Sequence, residues 1–379
     1  MTHRERIMTA LSHRSPDRVP IDLGGTGSTT VSIRTLERLR DFLELPVDSP
    51  PKVWSPRSAT AVLDQTIVER FAIDTQPIRP GSPDSATRCE IDSDMFVDEW
   101  QVTWRRAPGE HFMSVKGPFQ HLSDPSPSDV KRFAWPESND AGYTRGLKEA
   151  ARRIRAASDR AVILNLPNGP VHQSQFMRGY GEWLEDLLLR PVFVTALAER
   201  YTAFWVDMCA RVLEECQDDI DLVSYGDDIG TQRTPLMRPE LYRKLIKPYH
   251  RSMAEAIQRF RKPIIYHSCG SVASLIPDLL DIGIDALNPI QVAAEGMDTR
   301  RLKHDYGRDL TFWGGIDTQH VLPYGTTADV RDEVNRRIED LGKNGGYVLA
   351  PVHNVQPEVP PKNLAAMLEA ALAYGPPQA

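Results

Sequence analysis

The sequence is short of the features that mark several large classes of protein. Four cysteines in 379 residues, Cys89, Cys209, Cys216 and Cys269, with no repeated C-x-x-C, are too few for a disulfide framework and fit a reducing compartment. No apolar run approaches the roughly 20 residues that cross a bilayer. The charged opening MTHRERIMTALSHRSPDRVP also lacks the apolar segment of a secretion signal. A soluble, cytoplasmic protein with no membrane partner is expected. A basic stripe is missing as well. Lys and Arg number 45 against 52 Asp and Glu, and the net charge of −7 argues against nucleic acid as a partner, because binding it requires basic residues that displace counterions. With 41% hydrophobic and 26% charged residues, the chain is neither disordered nor fibrous. The one excess is proline, 30 residues where a usual share of about 5% would give fewer.

Short apolar runs alternate with segments of helical period. VPIDL at Val19–Leu23 and AIDTQPI at Ala72–Ile78 are strand candidates, with amphipathic segments at Thr35–Leu45 and Ala61–Phe71. Six more runs follow at Ala161–Leu166, Asp219–Tyr225, Pro263–Ser268, Ile284–Pro289, Leu310–Gly315 and Tyr347–Pro351. Helical segments separate them at Tyr180–Cys216, Pro239–Arg259, Val272–Leu280, Thr299–Asp305 and Thr327–Leu341, and another closes the chain at Pro361–Ala373. These eight units predict an α/β fold, a (β/α)8 TIM barrel. No linker divides the chain, so residues 1–379 read as a single domain. Residues 89–116, rich in β-formers, read as an inserted β-hairpin.

In such a barrel, catalytic groups sit at the C-terminal ends of the strands. The polar residues placed there are Asp22, Asp74, Asn165, Asp227, Asp228, His267, Cys269, Asn288, Gln291, Asp317 and His353. Asp and Asn also favour turns, so His and Cys carry more information. The sharpest feature is PIIYHSCGSV, where an apolar strand ends in His267 and Cys269. Residues i and i+2 of an extended segment share a face, and imidazole and thiolate are preferred zinc ligands. Two ligands do not hold a catalytic zinc, and the best third candidate is His353 in YVLAPVHNVQPEVPP. The adjacent Asp227 and Asp228 would repel each other if desolvated. One of them could be held neutral as a proton donor, the pair could orient a ligand or a metal-bound histidine, or one could simply cap a helix. LGGTGS at Leu23–Ser28 fits no phosphate-binding pattern and reads as a flexible rim loop. Trp100 and Trp104 are either a lid over the barrel mouth or the aromatic core of the small insert.

Several segments, RERIMTALSHRSPDRVPID, FAIDTQPIRP, FMRGYGEWLEDLLLRP, DDIGTQ, HSCGS, IDALNPIQ, FWGGIDTQ and GGYVLAPVHNVQPEVPPKNLAAM, together resemble the uroporphyrinogen decarboxylase superfamily. That superfamily includes zinc-dependent, corrinoid-linked methyltransferases. The decarboxylases carry an arginine-rich segment soon after the opening motif. Here that segment is IDLGGTGSTTVSIR, with arginine only at Arg34, so the carboxylate grip looks absent. The methyltransferases carry H-x-C and a distant third cysteine as zinc ligands. His267 and Cys269 match the pair, and His353 stands at the third position, where the decarboxylases also have a histidine. The resemblance therefore implies zinc on His267, Cys269 and His353, with Asp227, Asp228 and His353 in catalytic roles. Asp22, Asp74, Asn165, Asn288, Gln291 and Asp317 would line the substrate. It also implies methyl transfer between a small methoxy, thiol or folate compound and a methylcorrinoid. The chain has no cobalamin-binding motif, so a separate corrinoid protein is the expected partner, and a homodimer is compatible with the relatives. A metal-free decarboxylase of another carboxylic acid is the alternative.

Overall fold

The structure is a computed structural model that describes residues 1–46, 49–85, 89–107 and 111–375. Seven parallel strands form the central sheet: β1 (Thr75–Ile78), β2 (Ala161–Asn165), β3 (Leu222–Gly226), β4 (Ile264–His267), β5 (Ala286–Ile290), β6 (Thr311–Ile316) and β7 (Tyr347–Pro351). They pair in the order β7-β6-β5-β4-β3-β2-β1. The predicted strand at Val19–Leu23 shrinks to a bridge at Ile21, which pairs in parallel with Leu349. That bridge joins the two sheet edges. Asp22 donates its N–H to Leu349 at 2.8 Å, Leu349 to Pro20 at 2.9 Å, and Asp74 to Ile21 at 2.9 Å. Pro20 has no N–H to extend the ladder, and the chain turns away at Gly24, whose φ is +83°. The architecture is TIM-barrel-like, as the βα rhythm predicts.

Two apolar layers hold it. Inside the barrel, Ala161, Ile163, Leu222, Ile265, Ala286, Trp313, Val348 and Ala350 pack with Ile7 and Ala10. Alternate residues of a strand face the same way, so each of β2 to β7 gives one or two side chains to this interior. Ile7 and Ala10 come from helix α1 (His3–Leu11), which contacts β2 and β7 and plugs the N-terminal end. The opposite faces of the strands pack under the outer helices, and burial on both faces is why they read as continuous apolar runs.

The helices follow the sequence less closely. The Tyr180–Cys216 segment breaks at Arg190 into α3 (Tyr180–Leu189) and α4 (Pro191–Cys216), while Pro239–Arg259 breaks at Ile246 into Pro239–Leu245 and Lys247–Gln258. α3 itself follows α2 (Pro170–Arg178). Of the predicted Ala61–Phe71 helix only Gln65–Arg70 forms, because Thr60–Ala61 pairs as a short strand. The excess proline also has a use. Seven helices carry proline at their first or second position, where its missing N–H costs no intrahelical bond. The insert is larger than a hairpin. Cys89–Asp92, Met95–Val97, Thr103–Arg106 and Phe112–Lys116 form a four-stranded antiparallel meander. Trp100 is core, edge-on to Tyr201 at 5.3 Å and Phe204 at 4.9 Å, and so ties the meander to α4. Trp104 instead stands 5.0 Å from Phe176 of α2.

Candidate metal centre at the barrel mouth

Strand β4 ends at His267, and its extended backbone brings Cys269 back to the same side. The His267 Nε2 to Cys269 Sγ distance is 3.6 Å. His353, two residues beyond β7, turns its ring to within 5.7 Å of the His267 ring. One ligand atom from each of His267, Cys269 and His353 lies within 4.8 Å of the others. His267 Nδ1 bonds the Asn288 carboxamide oxygen at 2.8 Å. An oxygen acceptor there requires the proton on Nδ1, which leaves the Nε2 lone pair facing the cluster. Asn288 is itself held by Ser28, whose hydroxyl donates to the same oxygen at 2.9 Å. The Cys269 N–H donates to Asp228 at 2.7 Å and the Gly270 N–H to Gln291 at 2.7 Å. At Gly270, φ is +91° and a Cβ would lie 2.6 Å from the Thr231 carbonyl, so the turn after the ligand pair requires glycine.

Burial pushes both imidazoles down, His353 to about 4 with the neighbouring His267 ring adding to the effect. Burial, reinforced by Asp228, pushes the Cys269 thiol well up. The cluster at neutral pH is thus two neutral imidazoles and one thiol. Neutral imidazole and cysteine sulfur are the donors zinc prefers.

The aspartate pair works differently from the proton-donor reading. Asp227 is fully buried and accepts from the Val171 N–H at 2.9 Å, the His172 N–H at 2.8 Å and His250 Nε2 at 2.9 Å. Its carboxylate caps the N-terminus of α2, which precedes it in the chain, and not a helix that follows. Burial works to raise its pKa, but hydrogen bonds from His172 and His250 outweigh burial and hold it below the usual carboxylate range. The same balance, with His172 as the main opposing group, holds Asp228 low. His172 stands between them, 3.2 Å from Asp227 and 3.5 Å from Asp228, and is pushed up to about 10 against the opposing effect of burial. Neither aspartate is therefore neutral near pH 7. The proton of this group resides on His172.

The remaining candidates separate. Asp74 precedes β1 and so lies at the opposite, N-terminal end of the barrel, a correction to its expected place. It pairs there with Arg6 at 2.7 Å, Arg18 at 2.8 Å and His3 at 2.7 Å. Asp22 is fully buried, with four donors on its carboxylate: Gly25 N–H, Thr29, Thr75 and the Trp313 indole. Asn165 accepts from the Gly27 N–H at 2.8 Å, and Asn354 donates to the Gly27 carbonyl at 2.8 Å. The Gly24–Ser28 loop is consequently pinned across the mouth and is not the free rim loop expected. Asp317 is spent on its own turn, accepting from the Gln319 and His320 N–H groups and bonding the His320 ring. Asn288 and Gln291 adjoin the ligand cluster. His172 and His250 were missed. His172 lies in the first turn of α2, past the loop that follows β2, a position the strand-end rule could have flagged; His250, inside a helix, gives no such signal.

The fold and site thus define a TIM-barrel-like α/β protein with a thiol and two imidazoles converging at its C-terminal mouth. Residues 111–374 match the uroporphyrinogen decarboxylase (URO-D) family, and the chain belongs to it. The chain is 23% identical over 209 residues to the methylcobamide:CoM methyltransferase MtbA of Methanosarcina acetivorans, covering 54% of this chain and 56% of that protein. It is also 23% identical over 361 residues to a uroporphyrinogen decarboxylase of Methylococcus capsulatus, covering 89% of this chain and 97% of the relative. A solved methyltransferase from Methanosarcina mazei shares the fold over 98% of both chains, with a TM-score of 0.68 at 19% identity. The family thus includes both methyltransferases and decarboxylases. Among the described residues no helix is long and apolar enough to cross a membrane.

Proposed function

We propose that the chain is a methyltransferase that holds zinc on His267, Cys269 and His353 and moves a methyl group between a small substrate and a corrinoid on a separate protein. The observation that carries the reading is the convergence of those three ligand atoms within 4.8 Å, from two strand ends far apart in sequence. Similarity to MtbA, named for methyl transfer between methylcobamide and CoM, supports a corrinoid as one methyl carrier; a thiol or methoxy compound as the other is part of the proposal. Residues 1–379 are taken as one barrel domain, and all four cysteines are free, in keeping with a cytoplasmic setting.

When bound, zinc supplies Lewis acidity to a thiolate or an ether oxygen. One thiolate and two imidazoles leave a formal +1 on such a site, where two thiolates would leave it neutral, and this favours an oxygen ligand. The protein's own groups do the positioning. Asn288 fixes the ring plane and tautomer of His267, and Asp228 anchors the backbone of Cys269. His172 stays protonated beside Asp228 and offsets its charge at the mouth. Asn165, Asn354 and Asn288 hold the Gly24–Ser28 loop at the mouth.

The test is metal content together with turnover. Purified protein should carry stoichiometric zinc and demethylate methylcobalamin in the presence of a thiol, followed by the change in corrinoid absorbance. His267→Ala should lose both. A protein without zinc, whose His267→Ala variant reacts like the wild type, would sink the reading. Chelator-resistant release of CO₂ from a carboxylic acid would put the decarboxylase in its place.

A further inference from the structure

The aspartate–histidine group at the mouth holds a proton that metal binding does not use. It resides on His172, in the first turn of α2. Nδ1 of that ring lies 3.2 Å from Asp227 and Nε2 lies 3.5 Å from Asp228. The two carboxylates differ. Asp227 is fully buried and immobilised by the Val171 and His172 N–H groups and by His250, so it fixes the ring from behind. Asp228 is 39% exposed, and its 3.5 Å separation is longer than the about 2.8 Å of a closed charge-assisted hydrogen bond. The Nε2 proton is thus held by charge without being spent on an acceptor. Phe176, one turn along α2, stacks on the ring at 5.9 Å and covers one of its faces.

One carboxylate separates this proton from the ligand cluster. The Asp228 oxygen that His172 does not face accepts the Cys269 N–H at 2.7 Å and stands 3.8 Å from His267 Nε2. His172 is near enough that its charge helps to push down both His267 and His353. The titratable groups around it are Asp227 and Asp228 beyond β3, His267 at the end of β4 and His353 beyond β7. The aspartates are ionised, His353 is neutral, and the His267 proton is bound to Asn288. His172 alone among them has a proton to give.

We infer that His172 is the acid of the reaction and gives its Nε2 proton to the oxygen that the methyl group leaves. The inference rests on methyl transfer from a methoxy substrate, as the proposed function has it. The step balances. The methyl–oxygen bond breaks with its electron pair kept by oxygen, the electron pair of a cobalt(I) corrinoid forms the cobalt–carbon bond, and the Nε2 proton turns the departing oxygen into a hydroxyl. Water then recharges His172. Without that proton an oxyanion would form beside the charged Asp228, and like charges repel. His172 is pushed up to about 10, close to the about 10 of a phenol, so transfer to a phenolate meets little opposing gap.

Methylcobalamin formation from free cob(I)alamin and 4-methylanisole or 4-cyanoanisole tests it, followed by corrinoid absorbance. The first ether releases a basic phenolate that needs an acid; the second releases a stabilised one that needs it less. His172→Gln should slow 4-methylanisole by about 100-fold or more, the usual share of general acid catalysis, and 4-cyanoanisole by less than about tenfold. A ring that only shaped the site would slow both alike, so equal losses overturn the inference. Two measurements on the wild type do not depend on the variant folding. Heavy water should lower kcat/KM for 4-methylanisole by a larger factor than for 4-cyanoanisole, and identical factors overturn the inference. Nitrogen-15 NMR of the metal-free protein should show the His172 ring doubly protonated at pH 8, above the about 6.5 of an ordinary histidine; a neutral ring there also overturns it. The reaction of methylcobalamin with mercaptoethanol in the same samples separates the two readings. Thiol methylation without ether demethylation removes this inference and keeps the proposed function, whereas loss of both removes the function and the inference with it.

Discussion

Replacing Asp227 distinguishes an anchor from a proton donor. Its carboxylate accepts from two α2 N–H groups, at 2.9 and 2.8 Å, and also from His250, which is fully buried with Tyr242 on its other ring nitrogen. Asp227→Ala strands those donors and leaves a protonated His172 with Asp228 alone. A buried donor left unpaired costs about 1–3 kcal/mol, and a broken buried ion pair about 3–5 kcal/mol. The terms overlap, so the expected loss is about 4 kcal/mol, or about 8 °C in melting temperature at roughly 2 °C per kcal/mol for a large domain. Asp227→Asn keeps an acceptor for one N–H and should lose about half as much. The pH dependence has a definite sign. A carboxylate whose folded pKa is depressed contributes stability that is fully present above its unfolded pKa, near 3.9, and is lost as pH falls through the folded value. The gap between wild type and Asp227→Ala should therefore hold at neutral pH and close in acid. Thermal unfolding followed by circular dichroism at matched scan rates measures it. A variant that melts within about a degree of the wild type and loses only turnover would refute the anchor and restore the proton-donor role.

Three further outcomes are expected. Gly169→Ala would place a Cβ 2.3 Å from the Asp227 carboxylate, so it should destabilise by about 1–3 kcal/mol, read in the same melts; an unchanged melt would mean that carboxylate is not held as described. Asn288→Ala frees the His267 ring and should weaken zinc binding by about 10–100-fold with the fold retained, measured by competition with a chromophoric chelator. Zinc uptake at pH 7 should release about one proton, from Cys269 alone, because His267 and His353 are already neutral; calorimetry in buffers of different ionisation enthalpy counts it, and a value near zero or two contradicts the assignment.

The elements easiest to read ahead of the structure were the inner strands from Ala161 onward. Parallel strands covered on both faces must be apolar throughout, which leaves a local signature. Val19–Leu23 carried the same signature, yet only Ile21 pairs, because Pro20 and the Gly24 turn stop the ladder. Asp74 was legible as a polar residue next to a strand but not as one before its start, and its two arginines lie on the N-terminal face. The meander reads from sequence as a hairpin because its four short strands alternate with turn residues too closely for periodicity to count them.

The order of strands and helices, and the shared face of His267 and Cys269, follow from local chemistry: a run of apolar residues and a period of two require no knowledge of distant parts of the chain. Closing the barrel settled the rest. It brought His353 to that pair and turned Asp227 back onto a helix that precedes it. Contacts between residues far apart in sequence leave no spacing to read, because they depend on where the sheet's two edges meet.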